Sequence, residues 1–136
     1  AAFITRRTTI KMRSVVPARL LETRSGPNET TVDGQFQGIG RQGAGKTLQL
    51  KVTDRGGVPV DADAVMLNVT AVFPGAPGFL TVFPCGSTLP KASNVNYVAG
   101  DVVPNAVLAK IGTGGKVCIY TKAATDIVVD VNGYVL

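Results

Sequence analysis

Hydrophobic and polar residues alternate with a period of two along most of the chain. In segment 47–53, Leu48, Leu50 and Val52 alternate with polar side chains, as on a strand with one buried face. Runs of this kind, rich in β-branched or aromatic residues and bounded by turn residues, cover 47–53, 64–72, 78–83, 94–98, 102–111, 116–121 and 126–135. No window shows the stripe of an amphipathic helix. The pattern therefore predicts an all-β, single-domain antiparallel β-sandwich, jelly-roll-like in type.

Segment 25–46 lacks this alternation. It is rich in glycine and polar residues, and it predicts a long connection with at most one short strand near Phe36.

The N-terminal segment alternates as well, but it carries the positive charge of the chain. The formal net charge is +5, and all of it falls in residues 1–24, where Glu22 is the one acidic residue. We interpret 1–15 as a basic strand-like arm before a module at 16–136. Its candidate assembly residues are Ile4, Arg6, Arg7, Ile10, Lys11, Met12 and Arg13. Because one face of the arm is apolar, it is expected to dock on an edge of its own sheet or on a neighbouring copy.

Composition restricts the chemistry. The chain of 136 residues has the size of one domain and contains no histidine and no tryptophan. Histidine is the commonest general base and a frequent zinc ligand, so no catalytic machinery, cofactor or zinc site is expected. No apolar run has the roughly 18 residues that a bilayer span needs, so membrane insertion is not expected. The arm has no interleaved aromatic residues beyond Phe3, and nucleic acid is not an expected partner.

The two cysteines, Cys85 and Cys118, lie 33 residues apart in or beside predicted strands. In a small β domain they predict a disulfide between the 78–85 and 115–121 segments, and with it an extracytoplasmic setting. Two buried thiols in a reducing compartment are the alternative.

Residues 40–47 match the phosphate-binding pattern GxxxxGKT. That loop needs a helix after its lysine, since the helix N-terminus and the loop amides together hold the phosphates. Here the alternation predicts a strand after Lys46, so nucleotide binding is not expected.

Asparagine is unusual inside strands, yet several predicted strands contain it. One interpretation is buried amides that bond to the backbone and fix strand register. The other is a polar cluster that binds sugar hydroxyls, with a tyrosine offering its ring face. The candidate ligand-binding residues are Asn94, Asn96, Tyr97, Asn105 and Tyr134.

Asp126 and Asp130 share one face of a predicted strand and are weak candidates for calcium ligands. Strand neighbours on one face lie about 6.5–7 Å apart, too far to share an ion without help from loop residues. The expectation is therefore no metal site.

A series of short sequence motifs resembles a module that occurs in secreted and surface proteins of actinobacteria. That module is often appended to extracellular hydrolases or adhesin-like proteins. The motifs are VPARLLETR at 16–24, GGVP at 56–59, LNVTA at 67–71, GFLTVFPCG at 78–86, ASNVNY at 92–97, PNAV at 104–107, KVC at 116–118 and DVNGY at 130–134. They occur in order over nearly the whole domain. The resemblance implies an extracellular accessory module and not a catalyst.

Together these observations predict a non-catalytic extracellular module for recognition or cell-surface attachment, with a glycan or a protein as ligand. The alternative is a structural subunit of an extracellular assembly, a homo-oligomer joined through its N-terminal strand.

Overall fold

The computed structural model describes residues 11–136, which form two antiparallel sheets of four strands each. The strands are β1 (Met12–Glu22), β2 (Thr47–Lys51), β3 (Ala64–Val72), β4 (Gly78–Pro84), β5 (Val95–Tyr97), β6 (Val102–Lys110), β7 (Lys116–Thr121) and β8 (Asp126–Val135). The first sheet has the order β1-β8-β3-β6 and the second the order β2-β7-β4-β5. The predicted β-sandwich is confirmed. Among residues 11–136, no helix has the length and apolarity to span a bilayer.

Side-chain alternation builds the core between the sheets. Along β3, Val65, Leu67 and Val69 are buried while the residues between them are more exposed. Leu80 of β4 and Ile119 of β7 face them from the second sheet as members of the same cluster. Each strand thus gives one face to a shared core, which is the main source of stability in a sandwich.

β1 differs most from the prediction. It runs from Met12 to Glu22, across the expected boundary between arm and module, and pairs with β8 on both sides of two irregularities. Its register shifts between Ser14 and Ala18, a bulge that contains Pro17. The end of the strand-like arm predicted at 1–15 thus forms the start of β1 from Met12 onward, and Ile4 and Ile10 lie outside the described residues.

The connection from 23 to 46 contains no strand. Phe36 adopts a left-handed conformation with φ of 56°, and beside it Gln37 makes an isolated bridge to Glu22. The segment is thus the long connection that was predicted, and only this isolated bridge forms near Phe36, because a left-handed residue interrupts an extended run.

A buried arginine ties this connection to both sheets. Arg55 is 4% exposed, and its guanidinium donates to the carbonyl oxygens of Leu20 in β1 (2.9 Å) and Lys51 in β2 (2.8 Å). Its Nε and Nη2 also donate to the two carboxylate oxygens of Asp33, at 2.8 and 2.9 Å. The ring of Phe36 lies 5.0 Å from the guanidinium carbon. The buried charge is thus paired and hydrogen-bonded, as stability requires.

The turn that carries Arg55 depends on glycine. Gly56 has φ of 59°, and a Cβ atom there would lie 3.0 Å from Val131 and 3.1 Å from Leu20. A side chain would therefore be strained and would crowd the core beneath the turn.

The predicted disulfide is confirmed. Cys85 follows β4 and Cys118 lies in β7, with Cα atoms 5.0 Å apart. The bond lies on the outer side of the second sheet, in a small cluster with Phe83.

Removing the disulfide with Cys85→Ala and Cys118→Ala should lower the free energy of unfolding by about 3–4 kcal/mol, because the bond closes a loop of 33 residues in the unfolded chain. Urea denaturation of the double variant measures this loss. Wild type in reducing agent is the matched control and should show the same midpoint. Two free thiols in native wild type by mass analysis would contradict the bond.

The Arg55–Asp33 pair should make stability depend on pH in the acid range. Hydrogen bonds from Arg55, and then from the backbone of Gln35, lower the pKa of Asp33 from 3.8 to about 2. The unfolded chain takes up this proton at a higher pH than the folded chain. The stabilisation is therefore complete above about pH 4 and is lost as the pH falls through about 2.

Asp33→Asn should flatten the loss of stability between about pH 4 and pH 2, as followed by urea denaturation at each pH. Asp61→Asn, at an exposed aspartate that forms no ion pair with a described residue, is the control and should keep the wild-type profile. Equal acid profiles for wild type and Asp33→Asn would contradict the assignment.

Candidate functional site

The outer face of the second sheet carries two aromatic side chains. On β4, Leu80 points into the core, so Phe79 points outward; on β7, Ile119 points inward and Tyr120 outward. Tyr120 is the cross-strand partner of Thr81, two residues from Phe79. Antiparallel pairing thus brings the rings together, with centroids 6.0 Å apart and planes inclined at 45°.

These rings form the floor of an open groove of about 490 Å³. Its wall is the loop after β4, and the lining residues are Phe79, Leu89, Pro90, Lys91, Ala92, Ser93 and Tyr120. The ammonium of Lys122 lies 5.9 Å from the centroid of Phe79. The groove therefore combines apolar ring faces with cationic and hydroxyl groups.

The wall of the groove is fixed by covalent and hydrogen bonds. The disulfide holds its start at Cys85 to β7. The hydroxyl of Thr81 donates to the carbonyl oxygen of Ala92. The side-chain oxygen of Asn94 accepts a hydrogen bond from the backbone N–H of Val82 (2.7 Å). The loop is tied at both ends, so its shape is set before any ligand arrives.

The structure brings some of the predicted ligand-binding residues together. The amide of Asn105 donates to the backbone carbonyl of Asn94, which joins β6 to the end of the groove loop. The side chains of these two residues therefore bond to the backbone, although Asn94 is half-buried and Asn105 is exposed. Asn96 is exposed and is the cross-strand partner of Phe79, so it borders the groove.

The two predicted tyrosines are not among the residues that line this groove. Tyr97 is 4% exposed, and its hydroxyl bonds to Thr121 (2.8 Å) and to the backbone N–H of Ala123 (2.9 Å). Tyr134 is half-buried and packs against the main core. On the shared neighbour β3, Tyr134 pairs with Val65 and Asn105 with Val69. Four residues of strand, about 13 Å, separate these positions.

Part of the predicted assembly arm docks within its own chain. Met12 pairs with Val135 and Arg13 with Tyr134, while the carbonyl of Lys11 accepts from the N–H of Leu136 (3.0 Å). Ile4, Arg6, Arg7 and Ile10 lie outside the described residues.

The calcium candidates are engaged separately. Asp126 pairs with Arg41 (3.3 Å) and accepts from the hydroxyl of Thr23 (2.7 Å). Asp130 pairs with Arg19 (2.9 Å). Among residues 11–136, no group of three or more potential metal ligands is found. The two carboxylates thus neutralise different arginines and form no joint cation site.

The GxxxxGKT segment leads directly into β2, as the alternation predicted. The loop therefore lacks the helix N-terminus that a phosphate-binding loop uses.

Sequence reasoning missed Phe79, Tyr120, Lys91 and Lys122. Alternation alone indicates that Phe79 and Tyr120 face away from the core, and this signal was present in the sequence. Their proximity depends on the pairing of β4 with β7, which alternation does not specify.

Comparison of the chain with known proteins found no similar protein. No family model, characterised protein or solved structure matches it, so the resemblance to an actinobacterial surface module stays a prediction.

Proposed function

We propose that this protein is a non-catalytic recognition module that works outside the cytoplasm and binds a glycan in the groove on its second sheet. The observation that carries the proposal is the tilted pair of Phe79 and Tyr120 with Lys122 beside it, under a loop fixed by the disulfide.

The chemistry of the groove fits a sugar. The CH faces of a pyranose are apolar and pack on aromatic rings, while its hydroxyl groups need hydrogen-bonding partners. Phe79 and Tyr120 supply the rings, and Ser93, Lys91 and the neighbouring Asn96 supply polar groups.

The lining supports binding over hydrolysis. Most glycoside hydrolases place two carboxylates on either side of the bond that they cleave. None of the residues that line this groove is an aspartate or a glutamate.

The disulfide supports an extracellular setting. Such bonds persist in oxidising compartments and are rare where thioredoxin and glutathione keep thiols reduced. A bond that also fixes the wall of the groove would couple binding to that setting.

Tyr120→Ala should weaken glycan binding about tenfold, which corresponds to about 1.4 kcal/mol, because it removes half of the aromatic floor. The measurement is affinity for a panel of neutral and acidic cell-wall polysaccharides. Phe73→Ala is the matched control, since Phe73 is an exposed aromatic residue outside the groove lining. If the variant binds as wild type does, or no polysaccharide binds, the proposal fails and a protein ligand becomes the better hypothesis.

A second function, self-assembly, is favoured by the edge of the first sheet. Among residues 11–136, no strand pairs with the outer edge of β6. Its Leu108 is 64% exposed and stands beside Met66, the partially exposed partner residue on β3. Exposed apolar edge strands invite an added strand from another chain. We propose residues 1–10 of a second copy as that strand.

Deleting residues 1–10 should abolish self-association yet leave the fold intact, because β1 begins at Met12. Light scattering over a range of concentrations measures the change. Leu108→Arg in the full chain should have the same effect by blocking the edge. A full chain that stays monomeric at high concentration would overturn this function.

A further inference from the structure

The two sheets differ in charge. The four strands of the second sheet, the groove loop at 85–94 and the residue after β7 contain four lysines and no arginine, aspartate or glutamate. We call these residues the lysine face: Lys51, Lys91, Lys116 and Lys122. The acidic residues within strands, namely Glu22, Asp126 and Asp130, all lie in the first sheet. Residues 25–136 contain eight basic and eight acidic residues and are neutral in total, but folding places these charges unevenly.

The lysine face has no carboxylate partner in the described structure. Every ion pair found among residues 11–136 uses an arginine, and none includes a member of the lysine face. Lys51 donates to the hydroxyl of Thr53 (3.3 Å), a neutral partner that leaves its charge uncompensated. The charges of the lysine face can therefore attract an external anion.

Two members of the lysine face stand directly opposite each other. Lys51 of β2 and Lys116 of β7 are cross-strand partners. Like charges in this arrangement repel each other and destabilise a sheet. Replacing one of the two lysines with a neutral residue would therefore raise the free energy of unfolding, unless the lysines serve another role. A bound anion between the two ammonium groups would relieve the repulsion.

The remaining lysines place the same charge at the groove. Lys91 belongs to its lining, and Lys122 lies over the ring of Phe79. Lys116 begins β7 and Lys122 directly follows its last residue. Six residues of extended chain separate them, which is about 20 Å. A ligand that met both ends would be longer than a single sugar unit.

We infer that the groove binds an anionic polysaccharide, whose sugar rings stack on Phe79 and Tyr120 and whose acidic groups follow the lysine face along β7. This inference rests on the proposed glycan-binding function and adds the charge and the extended length of the ligand. A nucleic acid would share the charge, but this face offers one pair of rings at one place and not a series of stacking platforms.

The test compares two polysaccharides with the same backbone: polygalacturonate and its fully methyl-esterified form, in which each carboxylate is a neutral methyl ester. Wild type should bind polygalacturonate more tightly than the ester, and rising salt should weaken only the first interaction. The double variant Lys51→Gln, Lys116→Gln should lower affinity for polygalacturonate about five- to tenfold and leave binding of the ester unchanged. Lys110→Gln, at an exposed lysine of β6 in the first sheet, is the matched control and should bind as wild type does.

A stability measurement on the free protein provides an independent readout. Lys116→Gln should raise the urea midpoint, because it removes the cross-strand repulsion with Lys51, while it lowers affinity for polygalacturonate. A role confined to folding would lower the midpoint instead, and that result would contradict the inference.

The outcomes separate this inference from the function on which it rests. Equal binding of both polysaccharides, lost in Tyr120→Ala but unaffected by the lysine variants, would overturn the anionic ligand and keep the glycan-binding groove. No binding of either polysaccharide, or of a phosphomannan that tests phosphate in place of carboxylate, would overturn both. Tighter, lysine-dependent binding of single-stranded oligothymidylate would assign the face to nucleic acid and likewise overturn both.

Discussion

The guanidinium of Arg55 joins parts of the chain that no strand pairing connects. It bonds to the backbone of β1 in one sheet, to the backbone of β2 in the other, and to Asp33 in the connection between them. A buried charge is tolerated only when such partners surround it, and removal of one partner leaves the others desolvated without compensation. This side chain therefore fixes the long connection against the sandwich, together with backbone hydrogen bonds such as those from Glu22 to Phe36 and from Gly38 to Glu22. The glycine turn at Gly56 holds the side chain in place.

The disulfide plays the corresponding role on the opposite surface. It lies outside the main core, in a small cluster with Phe83 that supports the groove loop. The bond thus contributes to stability through the unfolded chain, and in the function that we propose it also supports binding through the fixed shape of one wall. The two roles share a requirement for an oxidising environment, which links the proposed function to the proposed location.

The two sheets also differ in how their charged side chains are paired. The carboxylates within the strands of the first sheet are paired with arginines, as with Glu22, which is fully buried and bonds to both Arg19 and Arg24. The second sheet leaves its lysines without such partners in the described structure. Paired charges stabilise a fold, whereas unpaired charges of one sign attract a ligand and cost some stability. This contrast supports the second sheet as the binding surface.

The sequence by itself determined the fold class and most of the strands. Segments 64–72, 116–121 and 126–135 became strands with the expected limits, because alternation and turn residues act locally. The partnership of Cys85 with Cys118 also followed from the sequence, since no other cysteine exists.

Tertiary structure decided what the strands bring together. Tyr97 and Phe79 are both aromatic residues in alternating segments, yet Tyr97 lies in the core and Phe79 on the surface. Alternation shows that a strand has two different faces, but only packing against the other sheet decides which face is buried. Arg55 reads as an ordinary polar turn residue, and its burial follows from contacts with residues 20 to 35 positions away. The groove and the lysine face arise in the same way, because they depend on which strands pair and in which register. Pairing and register depend on contacts between segments that are distant in sequence, and local patterns do not specify these contacts.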